Sequence, residues 1–496
     1  MVMAPDGEGM RNRGADVRKR NNRRLYSFLS AIFLIACLYT LLFQSFSAIP
    51  AHYRINVGDR ITLGDLLPPG LSAQITASVP EDVQGKLSWQ SGQEAGPRFC
   101  PFLGNTPIAA VPGRLDLDLR LFGILPLKRI TLQVVPPVKV MVGGQSIGVM
   151  LHTDGVIVSG FAAVTSEDGK TSCPARQAGI APGDVIASIE GVQVQSDTQV
   201  SQLIDSYARR GGPVHLLIKR QGTAREFDVN PVLCRDTKRY RVGLFVRDSA
   251  AGVGTLTFFD PATRRYGALG HLITNSDTGA QLDLRDGKIV GAVVEGIEKG
   301  ERGKIGEKIG MFINTPKTSG SIEKNTKYGI YGVLQDSLPN RLYPEPVPVA
   351  VGGQIKTGPA QLLTVLNGET IEAFDVEIQT VFPQPTPDGK SFIVKVVDPR
   401  ILDRAGGIIQ GMSGSPIIQD GRLIGAVTHV FINDPTRGYG ISAELMLEEA
   451  GLFMTGGPVQ EHLSVLDYRM LDGITMDDVR IAERKEKNAK NFLMAA

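Results

Sequence analysis

Residues 410–416 read Gln410-Gly411-Met412-Ser413-Gly414-Ser415-Pro416, and IIQDGRLIGAVTHV carries the chain on to residue 430. Two glycines bracket a hydroxyl, and a proline then opens an apolar run that Asp420-Gly421 interrupts. Proline suits the first residue of a strand, and Asp-Gly is a two-residue hairpin turn. The stretch therefore predicts a tight loop, a strand from Pro416, a hairpin, and a returning strand over Leu423–Val430. A serine that attacks a carbonyl needs a turn that exposes its hydroxyl and aims nearby amides at the developing oxyanion. Gly411 and Gly414 permit such a backbone. Ser413 is thus the candidate nucleophile, with the Gly411 and Ser413 amides as oxyanion donors. A plain Gly/Ser turn between strands would use the same residue types, so the reading needs a base.

Only six histidines occur, and elimination narrows them. His52 follows the long apolar run near the N-terminus, His152 and His215 fall in a separate central module, and His462 lies in the charged tail. His271 stands in Tyr266-Gly267-Ala268-Leu269-Gly270-His271-Leu272-Ile273, glycine-flanked at a strand end, from which a ring can project into a cleft. His429 lies inside the strand returning from the nucleophile and reads as packing or cleft lining. His271 is therefore the candidate base, placed on a different half of the region from Ser413. Asp398, which ends the strand SFIVKVVD just before Pro399, is the candidate orienting carboxylate; a helix cap accounts for an Asp-Pro pair equally well.

Working outward, residues 240–455 hold about ten short strands rich in glycine, a pattern that suits a closed or double β-barrel. Residues 138–233 have a different order: an opening strand from GGQSIGVML, the run PARQAGIAPGDVIASIEGVQV, a helix-like SDTQVSQLIDSYARRGG, and the strand VHLLIKRQG. Residues 53–135 read as a small all-β module, with RLDLDLRL alternating at period two. Residues 1–24 carry seven basic and three acidic groups, a net +4 that leaves −2 on the rest of a chain whose total is +2. Leu25–Ala51 contains no charge, and 25–49 is long enough to be a transmembrane anchor or uncleaved signal. A cleaved signal peptide is the other reading, and both export the body. Residues 457–496 read as a charged, partly disordered tail.

The near-neutral body argues against a nucleic-acid partner, which would need a broad basic face. No HExxH occurs, and GIEKGERGK lacks the spacing and hydroxyl of a phosphate loop. Cys37, Cys100, Cys173 and Cys234 match no zinc spacing. No cofactor and no metal are expected.

The Gly-x-Ser-Gly-x-Pro-hairpin resembles the nucleophile segment of chymotrypsin-like serine peptidases, with Ser415 where many have glycine. Ala178 to Ile186, with the helix and strand that follow, resembles the PDZ family. That resemblance implies a groove where a ligand adds as a strand, with the loop amides of Ile147, Gly148 and Val149 holding a carboxylate. YGALGHLI, VVDPR, GGIIQGMSGSPIIQDGRLIGAVTHVFINDPTRGYGI and the preceding GGQSIGV together look like stage IV sporulation protein B, the SpoIVB peptidase family. The likeness spans roughly residues 120–455.

It implies a mostly β chain: an N-terminal transmembrane helix, a small β module, a PDZ domain and a chymotrypsin-like double β-barrel peptidase. Carried over, the nucleophile falls on Ser413, the base on His271 and the acidic partner on Asp398. The family implies an exported, membrane-anchored serine endopeptidase of the space between forespore and mother cell. Such an enzyme cleaves itself, then cuts a membrane-bound regulator of an intramembrane metalloprotease and so releases sigma factor K. Partners would be that protein substrate, its own chain through the PDZ domain, and the membrane. A catalytically silent PDZ signalling or scaffold protein is the contrasting reading.

Overall fold

The computed structural model describes residues 51–61, 74–78, 106–220, 222–274, 284–313, 319–336 and 338–453, with a few isolated positions before 106. The expected anchor over 25–49 and the tail over 457–496 lie outside the described residues, apart from single positions. Among the described residues no helix is long and apolar enough to cross a membrane. The chain divides into two units, 1–136 and 137–496.

In the first unit, five strands pair in the order His52–Asn56, Leu125–Val135, Gly113–Leu121, Ile75–Ser78, Arg98–Phe99. RLDLDLRL behaves as its alternation requires. Leu115, Leu117 and Leu119 are buried and the first two face Leu132 and Ile130, while Asp118 points outward to a salt bridge with Arg129.

The second unit is organised by two 16-residue antiparallel strands, β1 (Ser146–Phe161) and β2 (Leu244–Phe259). At about 3.3 Å per residue each spans roughly 50 Å, enough to serve two cores in turn. At one end β1 pairs with Val185–Ile189, which leads to Val214–Arg220 and then Thr223–Val229. The helix α1 (Asp197–Ala208), capped by the Ser196 hydroxyl, buries Val200 and Ile204 against this layer. Leu244 and Val246 of β2 pack on the same core. At the other end the same strands carry β3 (Arg265–Ala268) and β4 (Leu284–Glu298), and β4 pairs with β5 (Glu307–Ile313). The result is one 14-stranded sheet rather than the separate first barrel expected from a double-barrel architecture. The reason is length: neither β1 nor β2 ends where the central module ends.

The expected PDZ carboxylate loop is corrected by this sheet. Ile147, Gly148 and Val149 are the second to fourth residues of β1, paired on one side with Gly254, Val253 and Gly252 and on the other with Gly291, Val290 and Ile289. Ile147 and Val149 are fully buried, and a Cβ on Gly148 would stand 2.5 Å from the Phe312 ring. Both strand edges are occupied, so this segment has no place for an added strand or a carboxylate.

The last third closes into a six-stranded barrel of β6 (Gly358–Val365), β7 (Ile371–Val381), β8 (Lys390–Val396), β9 (Pro416–Gln419), β10 (Arg422–Phe431) and β11 (Asp434–Ser442). Phe374, Phe392, Val394, Ile417 and Val427 fill it. Asp420 and Gly421, at φ 49° and 71°, form the hairpin turn with both central residues left-handed, as the sequence predicts. Helix α2 (Pro399–Ala405) follows β8 and leads into the nucleophile loop.

Candidate active site

The nucleophile loop is held by its carbonyls. Thr255 of β2 donates its N–H to the Ser413 carbonyl (3.0 Å) and its hydroxyl to that of Gly411 (2.8 Å). Thr257 donates its hydroxyl to the Gly414 carbonyl (2.7 Å). Gly411 and Gly414 both sit at φ 88°, a region that costs an L-residue strain. A Cβ on Gly414 would lie 2.2 Å from the Thr255 carbonyl oxygen and 2.4 Å from the Leu269 amide. Only glycine therefore lets the loop rest against the segment that bears His271. Among the described residues, the amides of Gly411 and Ser413 have no backbone or side-chain acceptor, while those of Met412, Gly414 and Ser415 do. Two unengaged amides flanking a serine are what an oxyanion site needs.

His271 follows β3 through Leu269 and Gly270, at φ 67° and 74°. A bulky apolar residue in that region is strained. The turn is pinned from both directions: Gly270 abuts Thr428, and the carboxamide of buried Asn325 accepts from the Ile273 amide (2.9 Å) and donates to its carbonyl (3.0 Å). The ring is 4% exposed. Its Nδ1 lies 2.9 Å from the Leu272 carbonyl, an acceptor only, so Nδ1 carries the proton and Nε2 keeps its lone pair. Burial lowers the pKa, which keeps the ring neutral and basic at neutral pH.

Serine and base converge on one pair of residues in β10. The Ser413 hydroxyl donates to the Thr428 carbonyl at 2.9 Å, and the His271 and His429 rings lie 5.1 Å apart between centroids. The described hydrogen bonds include none between Ser413 and His271. Catalytic hydrogen bonds are often unformed without substrate, and here the hydroxyl is engaged by the Thr428 carbonyl instead. Burial, and then the charge of a protonated His271, push His429 down to about 3, so it is a neutral wall of the site.

The structure does not bring Asp398 to this site. Asp398 is the N-cap of α2, where its carboxylate accepts from the Arg400 amide (2.9 Å), the Arg400 guanidinium (2.8 and 3.1 Å) and the Asp375 amide (3.1 Å). The Arg400 side chain, more than the backbone donors, takes its pKa down to about 2. Strand β8 leads away from the site: His429 pairs with Tyr439 and Tyr439 with Ile393, and Asp398 lies five residues further along, beyond the strand's end. Five residues of extended chain span roughly 16 Å. The helix-cap alternative is the one the fold adopts, and the Leu272 carbonyl orients the ring instead.

Sequence reasoning missed Thr255, Asn325, Thr428 and Lys308. Thr255, Asn325 and Lys308 belong to none of the quoted motifs, and Thr428, inside GRLIGAVTHV, acts through its backbone carbonyl, which no residue pattern marks.

These groups can carry out acyl transfer. In such a reaction Ser413 would attack a carbonyl as its proton passed to His271 Nε2, and the two amides would receive the oxyanion. The imidazolium would then protonate the leaving amine, and water would reverse the sequence. Among the described residues no cluster of His, Cys, Asp and Glu could hold a metal.

Residues 238–447 match the family model of the SpoIVB peptidase S55, and residues 165–220 match that of a PDZ domain. No curated protein matches the chain. Among solved structures, it is similar to the Rv3671c protease of M. tuberculosis in its active form, at 17% identity, covering 42% of this chain and 77% of that one, with a TM-score of 0.22. The inactive form of that protease matches at 18% identity over 40% of this chain and 84% of that one (TM-score 0.21). An inactive serine-to-alanine mutant matches at 16% over 41% and 84% (TM-score 0.21).

Proposed function

We propose, on the premise that residues 238–447 are a serine endopeptidase domain of the SpoIVB S55 family, that this enzyme signals across an envelope compartment by proteolysis. In this reading the basic segment 1–24 stays in the cytoplasm, residues 25–49 anchor the chain, and the body works outside. The support is the charge-free run after seven basic residues and the family resemblance of the blocks around His271 and Ser413. The enzyme cleaves its own N-terminal region, then a membrane-bound regulator of an intramembrane metalloprotease, and so activates the late sporulation sigma factor K. The PDZ domain serves protein interaction, at a surface other than residues 147–149.

The observation that carries the peptidase chemistry is the convergence of His271 and Ser413 on Thr428–His429, beside two amides with no acceptor among the described residues. The test is a fluorophosphonate probe combined with N-terminal sequencing of the protein recovered from its native membrane. We expect labelling on Ser413 and a truncated N-terminus, both absent in Ser413→Ala. A labelled enzyme with an intact N-terminus would remove self-cleavage and leave the peptidase.

A further inference from the structure

Beneath the nucleophile loop lies an ammonium group that the mechanism above does not use. Lys308, second residue of β5, is 5% exposed. Its Nζ donates to the hydroxyls of Thr364 (2.9 Å) and Ser146 (3.4 Å), and no carboxylate is bonded to it among the described residues. Burial alone takes its pKa down to about 7. A buried ammonium without a counter-ion is costly, and an apolar side chain of the same length would cost the fold less. Its contacts are therefore the guide to what the group does.

Its surroundings indicate the task. The backbone amide of Lys308 donates to the carbonyl of Gln410 (3.0 Å), fixing β5 to the residue just before the oxyanion loop. The side-chain stem runs directly under Gly411: a Cβ there would lie 3.0–3.1 Å from the Lys308 Cβ, Cγ and Cδ. Beyond the stem, Thr364 Oγ1 takes both the ammonium and the Ser415 hydroxyl (3.0 Å). The Ser415 hydroxyl also lies 3.4 Å from Thr255 Oγ1, whose own proton goes to the Gly411 carbonyl. The Gly411 peptide is therefore supported on one face by the lysine stem. Its carbonyl end is fixed by the Thr255 hydroxyl, which belongs to a cluster with Ser415 and Thr364 in which the one Ser415 proton faces both threonine oxygens, Thr364 Oγ1 being the nearer and also the acceptor of the lysine.

We infer that Lys308 is a positioning residue for the Gly411 amide: its stem and its ammonium, through Thr364, Ser415 and Thr255, hold that N–H toward the oxyanion. This deepens the peptidase reading and rests on Ser413 being the nucleophile. Removing one oxyanion donor costs on the order of 10²–10³ in kcat, and misaiming one costs some fraction of that.

The experiment compares Lys308→Met, which keeps the stem and removes the ammonium, with wild type on a short peptide. We expect kcat to fall about 10- to 100-fold with KM within about twofold, and the melting temperature to hold or rise. Affinity for a peptide boronate, whose tetrahedral adduct places an oxygen in the oxyanion site, should fall in step with kcat. Affinity for the product peptide should not change. Thr364→Val, which breaks the same cluster of hydroxyls and keeps the lysine, should show the same split with a smaller loss, and decides the matter if Lys308→Met does not fold. Unchanged kcat and boronate affinity, or a parallel fall of kcat, product affinity and melting temperature, overturns the inference. Fluorophosphonate labelling of Ser413 in wild type, and inactivity of Ser413→Ala, separate that failure from a wrong nucleophile.

Discussion

The hydroxyl of Ser413 donates to the carbonyl of Thr428, 2.9 Å away and one residue before His429. The candidate nucleophile is thus parked on the strand that lines the site, with its proton directed to a backbone acceptor rather than to the candidate base. For His271 to take that proton, the hydroxyl must first leave the Thr428 carbonyl and turn toward Nε2.

Ser413→Ala removes one buried hydroxyl and one hydrogen bond whose net worth is about 1 kcal/mol. The melting temperature should shift by a few degrees at most, while peptide cleavage falls on the order of 10⁴-fold or more. A purified, folded variant that retains several per cent of activity excludes Ser413 as the nucleophile.

Replacing His271 by alanine should match the loss in Ser413→Ala, and the double variant should be barely worse, since base and nucleophile act as a unit. His429→Ala removes a wall of the site and should raise KM more than it lowers kcat. Steady-state kinetics on one peptide decides the question: an active His271→Ala beside a dead His429→Ala reverses the assignment.

Burial lowers the pKa of His271 below the ordinary 6.5. The imidazole is a base only when unprotonated, so kcat/KM should rise with pH through an apparent pKa below that value and stay level through neutrality. A rising limb centred above 7 would contradict the buried setting of the ring.

Asp398 is set up for stability rather than rate. Its folded pKa, near 2, lies below the free carboxyl value of 3.8, so the folded state favours the ionised form. Its contribution is therefore present above about pH 4 and lost as pH falls toward 2, and is on the order of 1–2 kcal/mol. Asp398→Asn should lower the melting temperature at pH 7 and flatten its acid dependence, with kcat kept within a few-fold. A loss of kcat like that of His271→Ala, in a variant as stable as wild type, would restore Asp398 to the catalytic group.

Gly148→Asp forces a side chain into the Phe312 ring and a charge into a strand paired on both edges. Peptide and protein cleavage should fall together, with loss of folded protein by circular dichroism. Selective loss of protein cleavage in a stably folded variant would return residues 147–149 to a ligand-binding role.

What the sequence determined by itself was whatever a short segment encodes. The alternation in RLDLDLRL, the Asp420-Gly421 turn, the two glycines around Ser413 and the glycine-flanked His271 each express a local backbone requirement, and each is met in the fold. Asp398 before Pro399 carried two local meanings, and distance decided between them: one strand, β8, leads away from the site while Arg400 and Asp375 take its oxygens. Tertiary structure alone decided the fate of Gly148. Its missing Cβ is filled by Phe312, and both its edges are taken by strands from elsewhere in the chain. The same holds for Lys308, Thr364 and Thr255, which meet under Gly411 only because β5, β6 and β2 converge there. Turns and periodicity are set by neighbours along the chain. Which polar groups share a buried site is set by strand pairings between distant segments, and these leave no pattern in any one of them.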